Sequence, residues 1–331
     1  MFEGETLLIT GGTGSFGRTA VGRLLQEDVK ELRILSRDER KQQELRRRHP
    51  DGRLRFFLGD VRDRDSMRPA VYGAQRVFHA AALKQVPACE ENPMEAYKTN
   101  VAGTQNLLEL AEFCGVERVV CLSTDKAVYP VNAMGCTKAM MEKLVLAKAM
   151  RRPDERISYC LTRFGNVLCS RGSVVPLFIG QMLAGKPLTV TDPDMTRFLM
   201  TLPEAVELAL LALRHGENGG ILVPKMRSCT VAVLAQAVQE LFGYKGEVTV
   251  TGPRGGEKRH ETLISLEEMP RTADLGGYLC ISQNRRPDAE CRRTAYTSDA
   301  GTLLHAGEVA EILREVDVVK EALRRWNGKN R

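Results

Sequence analysis

A carboxyl and an amine stand side by side in the run Ser123-Thr124-Asp125-Lys126-Ala127-Val128-Tyr129-Pro130, and a further cation, Lys138, follows shortly after. Adjacent Asp and Lys can serve as acid and base only if their surroundings reverse the charges they carry in water. Burial raises the carboxyl pKa and lowers that of the amine, whereas a direct ion pair opposes both shifts. With the charges reversed, Asp125 can donate a proton and Lys126 can accept one. The bland alternative is an exposed salt pair, worth little. Met134 and Lys138 are spaced i, i+4 and share one helix face. A thioether exchanges no proton near neutral pH, so acid and base work here falls to Asp125 or Lys126, with Thr124 or a water as relay. Tyr129 is a rival base.

These residues need elements to hold them. The apolar run 6–10 leads into Gly11-Gly12-Thr13-Gly14-Ser15-Phe16-Gly17 and then a helical pattern, giving strand, glycine turn and helix. Further strands are predicted at 32–36, 54–58, 76–81, 118–123 and 159–162, with helices at 40–48, 96–114 and 132–149 between them. That alternation predicts an α/β fold, a Rossmann-like doubly wound parallel sheet covered on both faces. Asp125 and Lys126 then lie just beyond the C-terminal end of a strand, where such sheets bind ligands. Beyond 162 the pattern loosens around Pro176, Gly185, Pro187 and Pro193, while 202–214 reads as a helix and 220–224 as a strand rejoining the sheet. The division is therefore discontinuous. Residues 1–166 and about 202–228 form the dinucleotide-binding domain, and about 167–201 with 229–331 form a smaller α/β substrate-binding lobe.

Gly11, Gly14 and Gly17, with Thr13, Ser15 and Phe16 between them, suit a tight turn that presents a helix N-terminus to a pyrophosphate. At the end of the second strand, where an acidic residue would grip the ribose 2'-hydroxyl of NAD, stand Ser36 and Arg37. A hydroxyl and a guanidinium, helped by Lys41, suit a 2'-phosphate and favour NADP over NAD, although Asp38 nearby speaks for NAD. Asp60 and Val61 are placed for the adenine edge, and Ala80 and Ala81 leave room for the cofactor backbone.

Composition limits the alternatives. The chain has 331 residues, 43% apolar and 27% charged, enough for a full core. Its net charge of +6 is spread among mixed charges, which argues against nucleic acid. Nine cysteines with no CxxC pair argue against a disulfide framework and a metal site, and Cys136 and Cys169 read as packing residues. No apolar run reaches the roughly 18 residues of a membrane span, so a cytoplasmic location is expected. The basic end after Arg324 is expected to fray.

With these residues in view, the chain resembles the extended short-chain dehydrogenase/reductases. Within them it is similar to the inverting UDP-N-acetylglucosamine 4,6-dehydratase/5-epimerases of capsule and O-antigen (N-acetyl-L-fucosamine) synthesis. The likeness spans nearly the whole chain and is carried by residues 11–17, 36–40, 79–87, 123–143, 163–176, 189–200 and 254–261. Members of the wider family carry Tyr where this chain has Met134, a substitution shared with the capsule enzymes.

The resemblance implies oxidation of the sugar at C4 with NADP, loss of the C5 proton to a neutral Lys126, and donation from a protonated Asp125 to the C6 hydroxyl. Return of hydride to C6 and of a proton to the opposite face of C5 follow. Lys138 would orient the nicotinamide ribose. Lys84, Asn166, Arg171, Thr189, Arg197, Arg254 and Glu257 match substrate-binding positions, and a closed homo-oligomer, often a hexamer, is expected. His79 and His260 read as structural. Residues 283–293 and Arg259-His260 depart from the family pattern. A retaining 4,6-dehydratase, a UDP-sugar 4-epimerase and a catalytically inactive NADP-sensing binding protein are the competing readings.

Overall fold

A computed structural model describes residues 2–151, 157–288 and 294–329. The first half alternates strand and helix: β1 (Thr6–Thr10), α1 (Ser15–Leu24), β2 (Glu31–Ser36), α2 (Glu39–Arg48), β3 (Leu54–Leu58), α3 (Arg64–Val71), β4 (Arg76–His79). Then come α4 (Val86–Glu91), α5 (Pro93–Tyr97), a π turn (Lys98–Ala102), α6 (Gly103–Phe113), β5 (Arg118–Leu122), a 3-10 turn (Asp125–Ala127), α7 (Ala133–Arg151) and β6 (Ser158–Thr162). The second half adds β7 (Asn166–Val167), α8 (Val174–Leu183), β8 (Leu188–Val190), β9 (Thr196–Met200), α9 (Leu202–His215), β10 (Gly220–Pro224), β11 (Arg227–Thr230) and α10 (Val231–Phe242). It closes with β12 (Val248–Val250), β13 (Thr262–Ile264), β14 (Thr272–Asp274), β15 (Tyr278–Ser282), β16 (Tyr296–Thr297), α11 (Ala306–Arg314) and α12 (Asp317–Lys329).

The main sheet runs β3-β2-β1-β4-β5-β6-β10-β15-β14. Its members from β3 through β10 are parallel, and β15 and β14 extend it antiparallel. Side chains alternate between the two faces, as a pleated strand requires. Leu8, Val77, Val119 and Cys121 pack with α3, α6 and α7 on one face. On the other, Leu7, Ile9, Phe78 and Val120 pack with α1 and α9. Strands β1 and β4 are adjacent while β2 lies on the other side of β1, so a crevice opens at the carboxyl ends of these strands.

A separate apolar core gathers α8, α10, α11 and α12 around Phe178, Leu234, Val238 and Val309. Beside it stand the small sheets β11-β9-β7, β12-β8 and β13-β16.

Four sequence expectations need adjustment. The long helix expected over 96–114 is instead α5, the π turn and α6, because Asn92-Pro93 starts a new helix and the wider turn follows at once. The fourth strand stops at His79, before Ala80-Ala81. Residues 272–282, expected in the second lobe, return to the sheet through β15 pairing with β10. The end after Arg324 is helical through Lys329, with Trp326 packed edge-on against Phe242 and Tyr244. Of the divergent segment 283–293, residues 289–293 lie outside the described residues. Among the described residues no helix is long and apolar enough to cross a membrane.

Candidate active site

The glycine turn between β1 and α1 is shaped by contact as much as by conformation. Gly11 has φ +66°, and a Cβ there would stand 2.8 Å from the Ala81 backbone. Helix α1 begins at Gly14 with no side-chain cap, leaving its first amides for a ligand. A cleft of about 720 Å³ opens in front of it. The cleft is lined by Gly11, Thr13, Gly14, Ser15, Phe16, Gly17, Ser36, Arg37, Lys41, Asp60, Val61, Ala80, Ala81 and Lys138, together with Thr124, Lys126 and Met134. Free helix-end amides and a backbone surface without intervening side chains fit a dinucleotide pyrophosphate.

At the ribose end, Asp38 caps α2 by accepting from the Lys41 amide at 3.0 Å and is also paired with the Lys41 ammonium. Hydrogen bonds from Lys41 hold the Asp38 carboxyl below its usual range. Arg37 reaches Asp60 at 3.6 Å with its side chain 58% exposed, and the buried Ser36 hydroxyl accepts from Gln42 at 3.1 Å. The Lys41 charge is thus already turned toward Asp38, while Arg37 stands exposed at the rim with only the longer Asp60 contact.

A second cavity of about 600 Å³ is lined by Thr189, Arg197, Glu257, Lys258 and Glu261. Lys126, Asn166 and Arg254 line both cavities and mark where they meet. Lys84 and Arg171 line only the first. The buried Asn166 side-chain oxygen has no hydrogen-bond partner within the protein, which leaves an acceptor ready for a ligand.

The 3-10 turn after β5 carries the central group. Gly135, in the first turn of α7, permits its placement: a Cβ there would fall 2.3 Å from the Lys126 carbonyl oxygen. Asp125 is fully buried, and its Oδ1 accepts from Thr124 Oγ1 at 2.8 Å and from Lys126 Nζ at 3.0 Å. Its Oδ2 has no hydrogen-bond partner. Burial raises the Asp125 carboxyl above its ordinary value, more than Lys126 lowers it. Lys126 Nζ also lies 3.2 Å from Glu261 Oε1. Burial pulls this amine down, but the Asp125 and Glu261 carboxylates outweigh it and hold Lys126 above its ordinary value. The expected reversal is therefore half fulfilled. Asp125 shifts in the direction foreseen, whereas Lys126 shifts the opposite way and keeps its cationic form, because a second carboxylate faces it.

Lys138 donates to the Leu122 carbonyl at 2.7 Å, and burial brings its ammonium down to about 8. Met134 packs with Cys89 and Ala96 at the cleft wall. Tyr129 does not line either cavity; its hydroxyl donates to Glu267 at 2.8 Å and accepts from the Leu266 amide at 3.0 Å. That occupation removes it as a rival base. His79 is locked between Thr10 at 2.8 Å and Thr104 at 3.0 Å, with burial lowering its pKa to about 3. His260 bonds to Thr196 at 2.9 Å. Burial pushes the Cys169 thiol up to about 12, the wrong direction for a nucleophile.

The family described as "Polysaccharide biosynthesis protein" matches residues 7–283. The chain belongs to this family. A "UDP-glucose 4-epimerase" from Rickettsia typhi is 49% identical over 340 residues, covering 98% of this chain and 99% of its own length. Among solved structures, Pen from Bacillus thuringiensis superposes with a TM-score of 0.90 at 32% identity, covering 95% of this chain and 99% of its own. DesIV, a dTDP-glucose 4,6-dehydratase from Streptomyces venezuelae solved with NAD and TYD, gives 0.70 at 25% identity over 76% of this chain and 86% of its own.

In this polysaccharide biosynthesis protein, sequence reasoning overlooked Glu261 and Lys258. Both sit in the strap 254–261, which crosses from the second lobe to the 3-10 turn Asp125–Ala127. Lys258 donates to the Val128 carbonyl at 2.6 Å and the Asp125 carbonyl at 3.4 Å, and Asn132 donates to the Gly256 carbonyl at 2.8 Å. The available signal was two charges ending an already singled-out motif. Nothing in it said which of Glu257 and Glu261 would face Lys126.

Proposed function

We propose that the protein is a UDP-N-acetylglucosamine 4,6-dehydratase that inverts C5, with NADP held in the first cavity and the sugar nucleotide in the second. The observation that carries this reading is the buried Asp125, its carboxyl raised above the ordinary value by burial, beside Lys126 where the cavities meet. Exchange of configuration at C4 alone needs a base for one hydroxyl. Elimination needs in addition an acid for the leaving C6 oxygen, and burial has prepared one.

A bound nicotinamide would supply reversible hydride acceptance at sugar C4, which acidifies the C5 proton. Asp125 gives its proton to the C6 oxygen as it leaves as water. Lys126 stands between Asp125 and Glu261 to manage the C5 proton, and Thr124, bonded to Asp125, relays the C4 hydroxyl proton to Asp125 as hydride leaves C4, before Asp125 gives it up at C6. Lys138 and the Met134 wall orient the nicotinamide ribose and keep water out. Arg197 and Arg254 are suited to the pyrophosphate through their donor forks. Arg37 and Ser36 support NADP; replacing Arg37 by Ala should weaken NADP+ by about tenfold, the worth of one exposed charge contact, while leaving NAD+ unchanged by calorimetry.

The name of the Rickettsia typhi relative favours a second reading, a UDP-sugar 4-epimerase. Incubation with UDP-N-acetylglucosamine in deuterated water, followed by NMR, separates the two. Dehydration converts the hydroxymethyl group to a methyl and places deuterium at C5. A C4 epimer with its hydroxymethyl group intact would sink the dehydratase.

A further inference from the structure

We propose that residues 169–173 form a clasp from the second lobe over the pyrophosphate of a bound dinucleotide, with Arg171 as a cofactor contact that release must break; this rests on the dinucleotide reading of the first cavity and not on the dehydratase chemistry. The loop leaves β7 and leads into α8, yet three hydrogen bonds tie it to the cofactor-binding half. The Arg171 amide donates to Ser15 Oγ at 3.3 Å, in the first turn of α1. Its carbonyl accepts from Gln85 Nε2 at 3.0 Å, and Lys84 Nζ donates to Ser170 Oγ at 3.3 Å. A chain that folds back so tightly needs left-handed residues, and Cys169 and Gly172 supply them at φ 56° and 74°. A Cβ on Gly172 would stand 2.1 Å from Gln85 Nε2, so glycine lets the Gln85 amide lie against the loop.

The charges around the loop fit an anion. Burial first, and then repulsion from Arg171 and Lys126, draws the Lys84 ammonium below its ordinary value. Arg171 also acts on Asp38, adding to the Lys41 hydrogen bonds that hold this carboxyl down. Its charge is therefore felt from Lys84 to the ribose end of the cleft. Like charges gathered on one wall repel until an anion lies among them, and a guanidinium offers phosphate oxygens a planar set of donors. Two ligands of this protein would carry a pyrophosphate, the dinucleotide and the sugar nucleotide. Ser15, Arg37, Asp38, Lys84 and Arg171 all line the first cavity and none lines the second, which selects the dinucleotide. Lys84 and Arg171, which the family resemblance allots to the sugar nucleotide, thereby pass to the cofactor.

The test follows cofactor release. Protein loaded with NADPH is mixed with excess NADP+, and the change in nicotinamide fluorescence gives the dissociation rate. Arg171→Ala keeps the backbone bonds of the loop and removes only the charge. It should speed release about tenfold, with Arg171→Lys recovering part of the loss. UDP affinity, by calorimetry, should stay within about twofold. Added salt should speed release from the wild type more than from Arg171→Ala, because screening acts on the charge already removed. Gln85→Ala loosens the clasp and leaves the charge, and should speed release about fivefold, the worth of one hydrogen bond. An unchanged release rate in either alanine variant, or a loss of UDP affinity in Arg171→Ala as large as its loss of cofactor, would overturn the proposal. A wild type that binds neither NADPH nor NADH would instead defeat the dinucleotide reading, and this is seen before any variant is made.

Discussion

Two clusters of one cation with two carboxylates, Lys126 with Asp125 and Glu261 and Arg163 with Glu142 and Glu268, lie largely buried in the molecule, and only the second is closed. Around Arg163, every guanidinium nitrogen donates: to Glu142 at 3.0 and 2.6 Å, to Glu268 at 2.8 and 2.9 Å, and to the Leu263 carbonyl at 2.9 Å. Ser123 adds a hydrogen bond to Glu142 at 2.5 Å. The cluster around Lys126 is open by contrast, with Asp125 Oδ2 and Glu261 Oε2 unsatisfied and Lys126 at the wall of both cavities. A closed cluster offers a ligand nothing and fixes structure. An open one carries unspent hydrogen-bonding capacity, which is what chemistry on a substrate requires.

The hardest test of that contrast removes the two residues of the open cluster proposed as acid and base. Asp125→Asn and Lys126→Ala should each lower the dehydration rate by about 10²–10⁴-fold, read by NMR, with cofactor affinity unchanged by calorimetry. Full activity in both would erase the distinction. In the closed cluster the loss should appear as stability instead. Arg163→Met strands the buried Glu142 and the partly buried Glu268, and denaturant unfolding should show a cost of about 3–5 kcal/mol.

A gentler test uses pH, because Glu268 of the closed cluster and Asp125 of the open one shift in opposite directions. Burial opposes the Glu268 charge, but Arg163 outweighs it and lowers this carboxyl below its ordinary 4.5. Glu268 therefore adds stability above its unfolded pKa, lost as pH falls through the folded one. Asp125 is raised above 3.8, so its contribution is present below that unfolded pKa and declines as pH rises through the folded value. Asp125→Asn removes this second dependence. Its melting temperature should gain on the wild type as pH rises toward neutrality, by calorimetry; parallel curves would show that Asp125 carries no proton. The smallest effect belongs to Tyr129, which is half exposed and outside both cavities. Tyr129→Phe should leave kcat within about twofold, the scale of a ~0.5 kcal/mol surface change. A larger fall would return Tyr129 to the list of bases.

The cofactor side of the molecule is readable because its causes are local. Residues 6–36 contain a buried strand, a glycine turn, an uncapped helix and a second strand in one continuous run, and their folded positions follow from spacing alone. The open cluster is legible only in part. Asp125 and Lys126 announce themselves by adjacency at a strand end, but their protonation depends on Glu261, which arrives from across the fold. A buried pair and a buried trio demand opposite charges for Lys126, and no periodicity distinguishes them. The same long reach hides β14 and β15, two short strands around Gly276-Gly277 that exist because β10 offers an edge. Helix α12 was obscured differently, since basic residues surround the apolar positions Val319, Leu323 and Trp326 that seat it.

The strap from Arg254 to Glu261 has a consequence for biogenesis. Lys258 meets the Asp125 carbonyl across 133 positions of chain. During synthesis the amino-terminal portion emerges first and can begin folding. It can assemble the glycine turn and helix α1 well before the strap, whose Arg254 completes the lining of the cleft, leaves the ribosome. A nascent chain therefore acquires its glycine turn early, and the contacts around Asp125 only once residue 261 has emerged.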